Sequence, residues 1–243
     1  MKRFAVLAGL LLTLTVGVRS ASASSILYYV DFSVGTDRMA QALSAVSGTH
    51  TVTTAGSIAG FTAALSGGGY DLAIFFQQGN SGGDYDAAFA AIATHLAGGG
   101  AAIADDWTHT AAHVAPFGAT FTGAVNNSTV TVTAPGLLPG VVNPFSLTNP
   151  GWGVFSTGMT AGVGASCGAT FSNGDCAIII TNNGRSFFNG FLADSILDGP
   201  EGVNLFVNEI NAAAAAAAVP EPASLVLLGT GVLAVGRRLR RKS

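Results

Sequence analysis

The stretch from Asp105 to His113, D-D-W-T-H-T-A-A-H, holds the residues of this chain best suited to chemistry. If a helix follows the apolar run before it, Asp105, His109 and His113 fall at i, i+4 and i+8 and share one helical face. One carboxylate and two imidazoles can bind Zn²⁺ and leave a fourth position for water. Zinc-bound water is a nucleophile near neutral pH. The pattern therefore makes these three residues a candidate zinc site.

A plainer interpretation of the same stretch is that Asp105 or Asp106 caps a helix and that the histidines lie on the surface. The motif departs from H-E-x-x-H, because Thr110 stands where a metalloprotease has its glutamate base. We favour this interpretation, and we expect no cofactor.

A second group of polar residues follows the predicted strands. In open α/β sheets, ligands bind beyond the carboxyl ends of the strands, so polar side chains converging there could hold a small sugar or a cation. The alternative is that they satisfy loop backbones and cap helices. The residues in question are Asp31, Gln77, Asp105, Asp106, Asn182 and Arg185.

The elements that would position these residues alternate between apolar strands and amphipathic helices. This order predicts a three-layer α/β fold with a mostly parallel sheet. The T-F-T-G-A-V-N-N-S-T-V-T-V-T segment, Thr120 to Thr133, predicts an inserted β-hairpin. An all-β sandwich is the alternative, because the Thr- and Gly-rich middle of the chain could supply more strands. The predicted strands are 26–30, 51–54, 71–76, 101–104 and 177–181, and the predicted helices are 37–46, 58–65, 84–96 and 200–211.

The chain has two cysteines, Cys167 and Cys176. In an exported chain, an even count and a short spacing favour a local disulfide with a structural role.

Charge is distributed unevenly along the chain. Only two of the ten basic residues, Arg38 and Arg185, lie between the termini, against twelve of the thirteen acidic residues. The body therefore carries a net charge of about −10, which the overall value of −3 conceals. Such a body repels polyanions, so we expect no nucleic-acid partner.

The N-terminus has the three parts of a secretory signal. Lys2 and Arg3 precede an apolar run, and small residues at 21–23 fit a cleavage site between Ala23 and Ser24. We expect residues 1–23 to be removed by signal peptidase and the secreted domain to cover residues 24–211. A run of seven alanines, residues 212–218, follows as a predicted helical linker.

The C-terminal residues 219–243 combine Pro220-Glu221-Pro222, an apolar stretch over 223–236 and a basic end. The order and spacing of these three parts resemble the PEP-CTERM sorting signal of Gram-negative bacteria, which is also named after the C-terminal domain of ice-binding proteins. The resemblance implies a short transmembrane segment, transient anchoring in the inner membrane and recognition by an exosortase. It also implies release to the periplasm, the cell surface or the extracellular matrix.

The body resembles the flavodoxin-like sheets of the class I glutamine amidotransferase-like superfold and its ThuA-like relatives. The resemblance rests on Y-D-L-A-I-F-F, on G-G-G-A-A-I-A-D-D, and on A-I-I-I-T-N-N-G-R-S-F-F-N-G-F before a final helix. The amidotransferases need a cysteine on the turn that would fall near Asp105-Asp106, and this chain has none there. A G-x-S-x-G nucleophile elbow is also missing after the predicted strands.

These observations favour an exported, non-catalytic protein of the envelope or the biofilm matrix, with exopolysaccharide as a candidate partner. The alternative is a metal-assisted hydrolase that acts on extracellular polysaccharide. A structural adhesin with modified Ser and Thr hydroxyls is a third class.

Overall fold

The structure is a computed structural model and describes residues 23–33, 35–79, 85–108, 110–148, 156–195 and 200–217. His109, most of the predicted signal peptide and the sorting tail, including its apolar stretch at 223–236, lie outside the described residues. Within the described ranges, no helix is long and apolar enough to cross a membrane.

The described part of the chain forms five helices and eleven strands. The helices are α1 (Arg38–Val46), α2 (Ile58–Gly67), α3 (Tyr85–Ala97), α4 (Ala111–Val114) and α5 (Pro200–Ala217). The strands are β1 (Ser25–Val30), β2 (Thr51–Thr54), β3 (Leu72–Gln77), β4 (Ala101–Asp106), β5 (Ala119–Val125), β6 (Thr129–Val132), β7 (Phe145–Ser146), β8 (Ser156–Ala161), β9 (Ser166–Phe171), β10 (Cys176–Thr181) and β11 (Ser186–Asn189).

One sheet contains all of these strands, in the order β2-β1-β3-β4-β11-β10-β9-β6-β7, with β8 paired to β10 and β5 paired to β8. The strands β2, β1, β3, β4 and β11 pair in parallel. From β10 onward the pairing is antiparallel. The predicted α/β class is confirmed, and the antiparallel part of the sheet is larger than the single insertion that the sequence predicted.

Helices cover both faces of the sheet. Consecutive side chains of β3 show the three layers, because neighbouring residues of a strand point to opposite faces. Phe76 packs against Phe206 of α5 with ring centroids 5.6 Å apart, while Phe75 packs against Phe89 of α3 at 5.4 Å. The helices α1 and α5 therefore share one face, and α2 and α3 share the other.

The predicted hairpin between Thr120 and Thr133 is wrong. Both strands exist as β5 and β6, but β5 pairs with β8, and β6 pairs with β7 and β9. Asn127, in the connection, is held by other segments: its carbonyl accepts from Ser156 Oγ at 3.1 Å and its side chain accepts from Ser172 Oγ at 2.8 Å. The alternation of apolar and polar residues therefore predicted both strands correctly. It could not predict their partners, because these are strands from later in the chain.

The predicted disulfide is confirmed. Cys167 of β9 and Cys176 of β10 are bonded across neighbouring strands.

The alanine run is part of the packed body. The helix α5 continues through it to Ala217, and Ala213 and Ala214 are buried. The body therefore extends beyond the predicted boundary at Asn211, because alanine is small enough to let the helix lie close against its neighbours.

Candidate binding site at the carboxyl edge of the sheet

Polar side chains gather where β1, β3, β4 and β11 end, because parallel strands present their carboxyl ends at the same edge. Asp31, Gln77 and Asp106 lie at this edge, as the sequence predicted. Asp31 accepts hydrogen bonds from the backbone of Gln78 at 2.7 Å and from the hydroxyl of Tyr85 at 2.9 Å. It therefore joins the ends of β1 and β3 to the start of α3.

Asn182 and Arg185 lie at the opposite edge, so their predicted place in the rim is wrong. They form the turn between β10 and β11, which are antiparallel, and Ser186 after the turn pairs with Ala102 at the start of β4. The Arg185 guanidinium donates to the Gly99 carbonyl at 2.9 Å. The signal was present in T-N-N-G-R, since Asn-Gly turns between apolar runs are typical of hairpins.

His113 lies between two carboxylates, and we call Asp86, Asp106 and His113 the histidine clamp. Its Nδ1 is 3.1 Å from Asp106 Oδ2, and its Nε2 is 2.8 Å from Asp86 Oδ1. The imidazole also stacks on Phe89, with ring centroids 4.0 Å apart. Both ring nitrogens are therefore engaged, and the clamp joins β4 and α4 to the first turn of α3.

Electrostatics favour the charged form of the clamp. Burial alone would lower the pKa of His113, but hydrogen bonds and attraction to Asp106 and Asp86 outweigh it and raise the pKa. Burial would raise the pKa of Asp106, yet bonds from His113, Thr108 and the backbone of Thr110 lower it. In its protonated form, which the raised pKa favours, His113 donates from both ring nitrogens and has no lone pair with which to bind a metal or accept a proton.

The structure does not assemble the predicted zinc set on one helical face. The helix starts only at Ala111, and Asp105 belongs to β4. Because Asp106 points to His113, its neighbour Asp105 points to the other face of the sheet. His109 is outside the described residues. No group of three or more His, Cys, Asp or Glu residues suited to a metal occurs in the described part of the chain.

The α5 face of the sheet carries two further buried polar residues that the sequence analysis missed, Asn189 of β11 and Glu209 of α5. Asn189 is the register partner of Asp105, and its amide donates to Glu209 Oε2 at 3.1 Å. Burial raises the pKa of Glu209 to about 8. Burial and the nearby charges of Asp31 and Asp194 raise the pKa of Asp105 well above its usual range. Glu209 could have been noticed, since it falls on the apolar face of α5 between Leu205 and Ile210.

The outer surface of this edge carries an aromatic residue. Phe32 is 50% exposed, and its carbonyl accepts from the Gln78 side chain at 3.3 Å. Trp107, half-buried, follows β4 and donates its backbone N–H to the Gln77 carbonyl at 2.8 Å. A half-exposed aromatic residue therefore follows Asp31 directly in the chain, at the edge where α/β sheets bind ligands.

Comparison of the tail with known families confirms its resemblance. Residues 218–242 match the PEP-CTERM protein-sorting motif. The chain is thus an exported protein that carries the sorting signal for an exosortase.

Solved structures with a similar fold are found for the body. A Thermoplasma acidophilum protein, provisionally assigned as one of the subunits of GMP synthase, matches with a TM-score of 0.54 and 13% identity, over 79% of this chain and 95% of that one. A ThuA-like protein of Parabacteroides merdae matches with a TM-score of 0.50 and 12% identity, over 82% and 94%. At these identities the similarity concerns the fold alone. No curated protein sequence matches this chain.

Proposed function

We propose that this protein is a non-catalytic component of the cell surface or the exopolysaccharide matrix, where its body binds polysaccharide at the carboxyl edge of the sheet. The sorting motif supplies delivery to the envelope.

The histidine clamp is the observation that carries the non-catalytic part. In this fold, chemistry would be placed at the end of β4, and there Asp106 accepts three hydrogen bonds from Thr108 and Thr110 in addition to its contact with His113. His113 in turn has both nitrogens bonded to carboxylates. A residue acting as a general base needs a free lone pair within reach of a substrate proton. The groups at this position are therefore used to hold the loop after β4.

The exposed surface of this edge, outside the histidine clamp, has groups suited to binding polysaccharide. A half-exposed aromatic ring offers apolar area to the C–H face of a sugar, and neighbouring carboxylates accept hydrogen bonds from sugar hydroxyls. Phe32 and Asp31 are consecutive in the chain and provide both groups. The negative body charge favours a neutral or cationic polysaccharide over an acidic one.

Co-sedimentation of the purified protein with the exopolysaccharide of its own cells tests this proposal. Truncation of Phe32 in Phe32→Ala should weaken retention about tenfold, the equivalent of roughly 1.4 kcal/mol. Val163→Ala is the control, because Val163 is an exposed apolar residue like Phe32 but lies near Gly164 and Thr181 at the opposite edge. The control should bind as the unmodified protein does.

Equal binding by the two variants, or no binding by the unmodified protein, would contradict the proposal. Release of new reducing ends from the polysaccharide, together with bound zinc, would instead favour the metal-assisted hydrolase.

A further inference from the structure

Three buried oxygen atoms beside α5 have no hydrogen-bond partner among the described residues. They are Asp105 Oδ2, Asn189 Oδ1 and Glu209 Oε1. The three residues are between 0% and 1% exposed. Buried polar atoms in native proteins are nearly always paired, so a group of three unpaired acceptors calls for an explanation.

Asn189 is a neighbour of each of the two acids. Asp105 and Asn189 are register partners on adjacent parallel strands, so their side chains project to the same face. Asn189 then reaches the helix above, where its amide donates to Glu209 Oε2 at 3.1 Å. The asparagine therefore lies beside the acid of β4 in the sheet and contacts the acid of α5.

The chemistry of the unpaired atoms restricts what could satisfy them. All three are oxygen acceptors, and a water molecule has only two hydrogens to donate, so one water cannot satisfy all three. The carboxyl groups of Asp31 and Asp194 add negative charge close to Asp105. The buried guanidinium of Arg38 supplies one positive charge on the helix α1 that packs on this face. Buried acids are tolerated only when they are paired, protonated or bound to a cation.

We propose that Asp105, Asn189 and Glu209 bind a hard cation, with Ca²⁺ as the best candidate, between the sheet and α5. Carboxylate and amide oxygens without sulfur or imidazole are the ligands of calcium and magnesium. The cation would cross-link β4, β11 and α5 and would compensate the buried negative charge. The site is separate from the polysaccharide surface, because neither Phe32 nor Asp31 is among its ligands.

Metal analysis and thermal unfolding of the exported protein, purified from its own cells, test the site. The protein is analysed for metal as recovered, then unfolded in urea and refolded in EDTA, in millimolar calcium or in millimolar magnesium. We expect about one calcium per chain in the recovered protein. A ligand that binds only the folded state at about a hundred times its Kd should raise the Tm by roughly 5–10 °C.

Two variants assign the effect to these residues. Glu209→Gln keeps the shape of the side chain and should abolish the calcium-dependent rise in Tm. Asn189→Asp adds a third carboxylate, so it should be less stable than the unmodified protein in EDTA and should recover in calcium. Asp175→Asn is the control, because Asp175 lies in the turn before β10, where it accepts from Asn173 at 2.7 Å. This control should keep the full calcium effect.

The competing arrangement replaces the cation with a proton. A rotated Asn189 amide could then donate to Asp105 and accept from a protonated Glu209. The proposal is overturned if the recovered protein holds no metal and has the same Tm in EDTA, calcium and magnesium. An infrared carbonyl band of a protonated carboxylic acid that disappears in Glu209→Gln would identify the proton instead.

Discussion

His113 contacts two carboxylates of very different exposure. The Asp106 side chain is fully buried, whereas that of Asp86 is 85% exposed. Water screens the exposed contact, so it contributes little. The buried contact is protected from solvent, and losing it would leave a charge in the interior. The energy of the clamp therefore lies mainly between His113 and Asp106.

The raised pKa of His113 gives the clamp a pH dependence. Its stabilisation should be complete below the unfolded pKa of about 6.5 and should be lost as the pH rises through the higher folded value. Asp106, whose pKa is lowered, contributes above its own unfolded value and loses this contribution as the pH falls. The histidine clamp should thus be strongest in mildly acidic solution.

His113→Gln should lower the free energy of unfolding by about 1–3 kcal/mol near pH 6, and by less near pH 9. The glutamine keeps one hydrogen bond but cannot carry the charge. Urea unfolding at the two pH values measures the difference. Taking the difference between variant and unmodified protein cancels the titration of Asp105 and Glu209.

Asp86→Asn and Asp106→Asn separate the two contacts. Asp86→Asn, at the exposed contact, should lower the free energy of unfolding by less than about 1 kcal/mol. Asp106→Asn, at the buried contact, should lower it by more. Equal costs would contradict the assignment of the clamp energy to Asp106.

At the scale of elements, α5 joins an ordinary amphipathic helix to a run of alanines. Alanine was predicted to form a helical linker here, and the run does extend the helix. The sequence pattern could not show that part of the run is packed, because alanine has high helix propensity on any surface and its side chain gives no amphipathic signal.

Ala213→Leu and Ala215→Leu test this packing directly. Ala213 is fully buried and Ala215 is exposed. The larger side chain at 213 should lower stability by about 1–3 kcal/mol, because a packed interior has no space for it. The same change at 215 should be nearly neutral. Urea midpoints of the two variants make the comparison, and equal midpoints would mean that the run is a linker throughout.

The strands also differ in how well the sequence predicted them. The elements β1 to β4 and α1 to α3 alternate along the chain, and local patterns identify each of them. The strands β7, β8, β9 and β11 were missed. S-T-G-M-T-A and S-C-G-A-T-F have weak apolar patterns, S-F-F-N is only four residues long, and β7 has only two residues. Their stability depends on partners that are distant in the chain.

At the scale of the whole molecule, the acidic body and the basic tail have separate roles. The body is held by its own core on both faces of the sheet. The motif at residues 218–242 is the signal by which an exosortase recognises the protein. Sorting and folding should therefore be separable.

Deletion of residues 219–243 should leave the Tm unchanged but abolish retention at the cell surface. Deletion of residues 212–243 also removes Ala213 and Ala214 from the core, so it should lower the Tm. Cell fractionation and thermal unfolding of the two truncated proteins check these outcomes.

Intact mass of the unmodified protein should show a chain that starts at Ser24 and ends near Glu221, and a released protein that still ends at Ser243 would contradict cleavage.

Local sequence was enough to predict the sorting signal, the disulfide and the α/β class. It also placed Asp31, Gln77 and Asp106 at strand ends that share one edge of the sheet. Each of these depends on residues that are close in the chain, where motif, spacing and hydrophobic period are sufficient.

Which polar residues meet became visible only in the folded chain. Reversal of the chain at the β10–β11 turn moved Asn182 and Arg185 to the far edge and brought Asn189 beside Asp105. The two-residue period of β4 placed Asp105 and Asp106 on opposite faces, Asp105 on the face that α5 covers and Asp106 toward His113. Side-chain partners across a sheet depend on strand direction and register, and long-range pairing sets both of these.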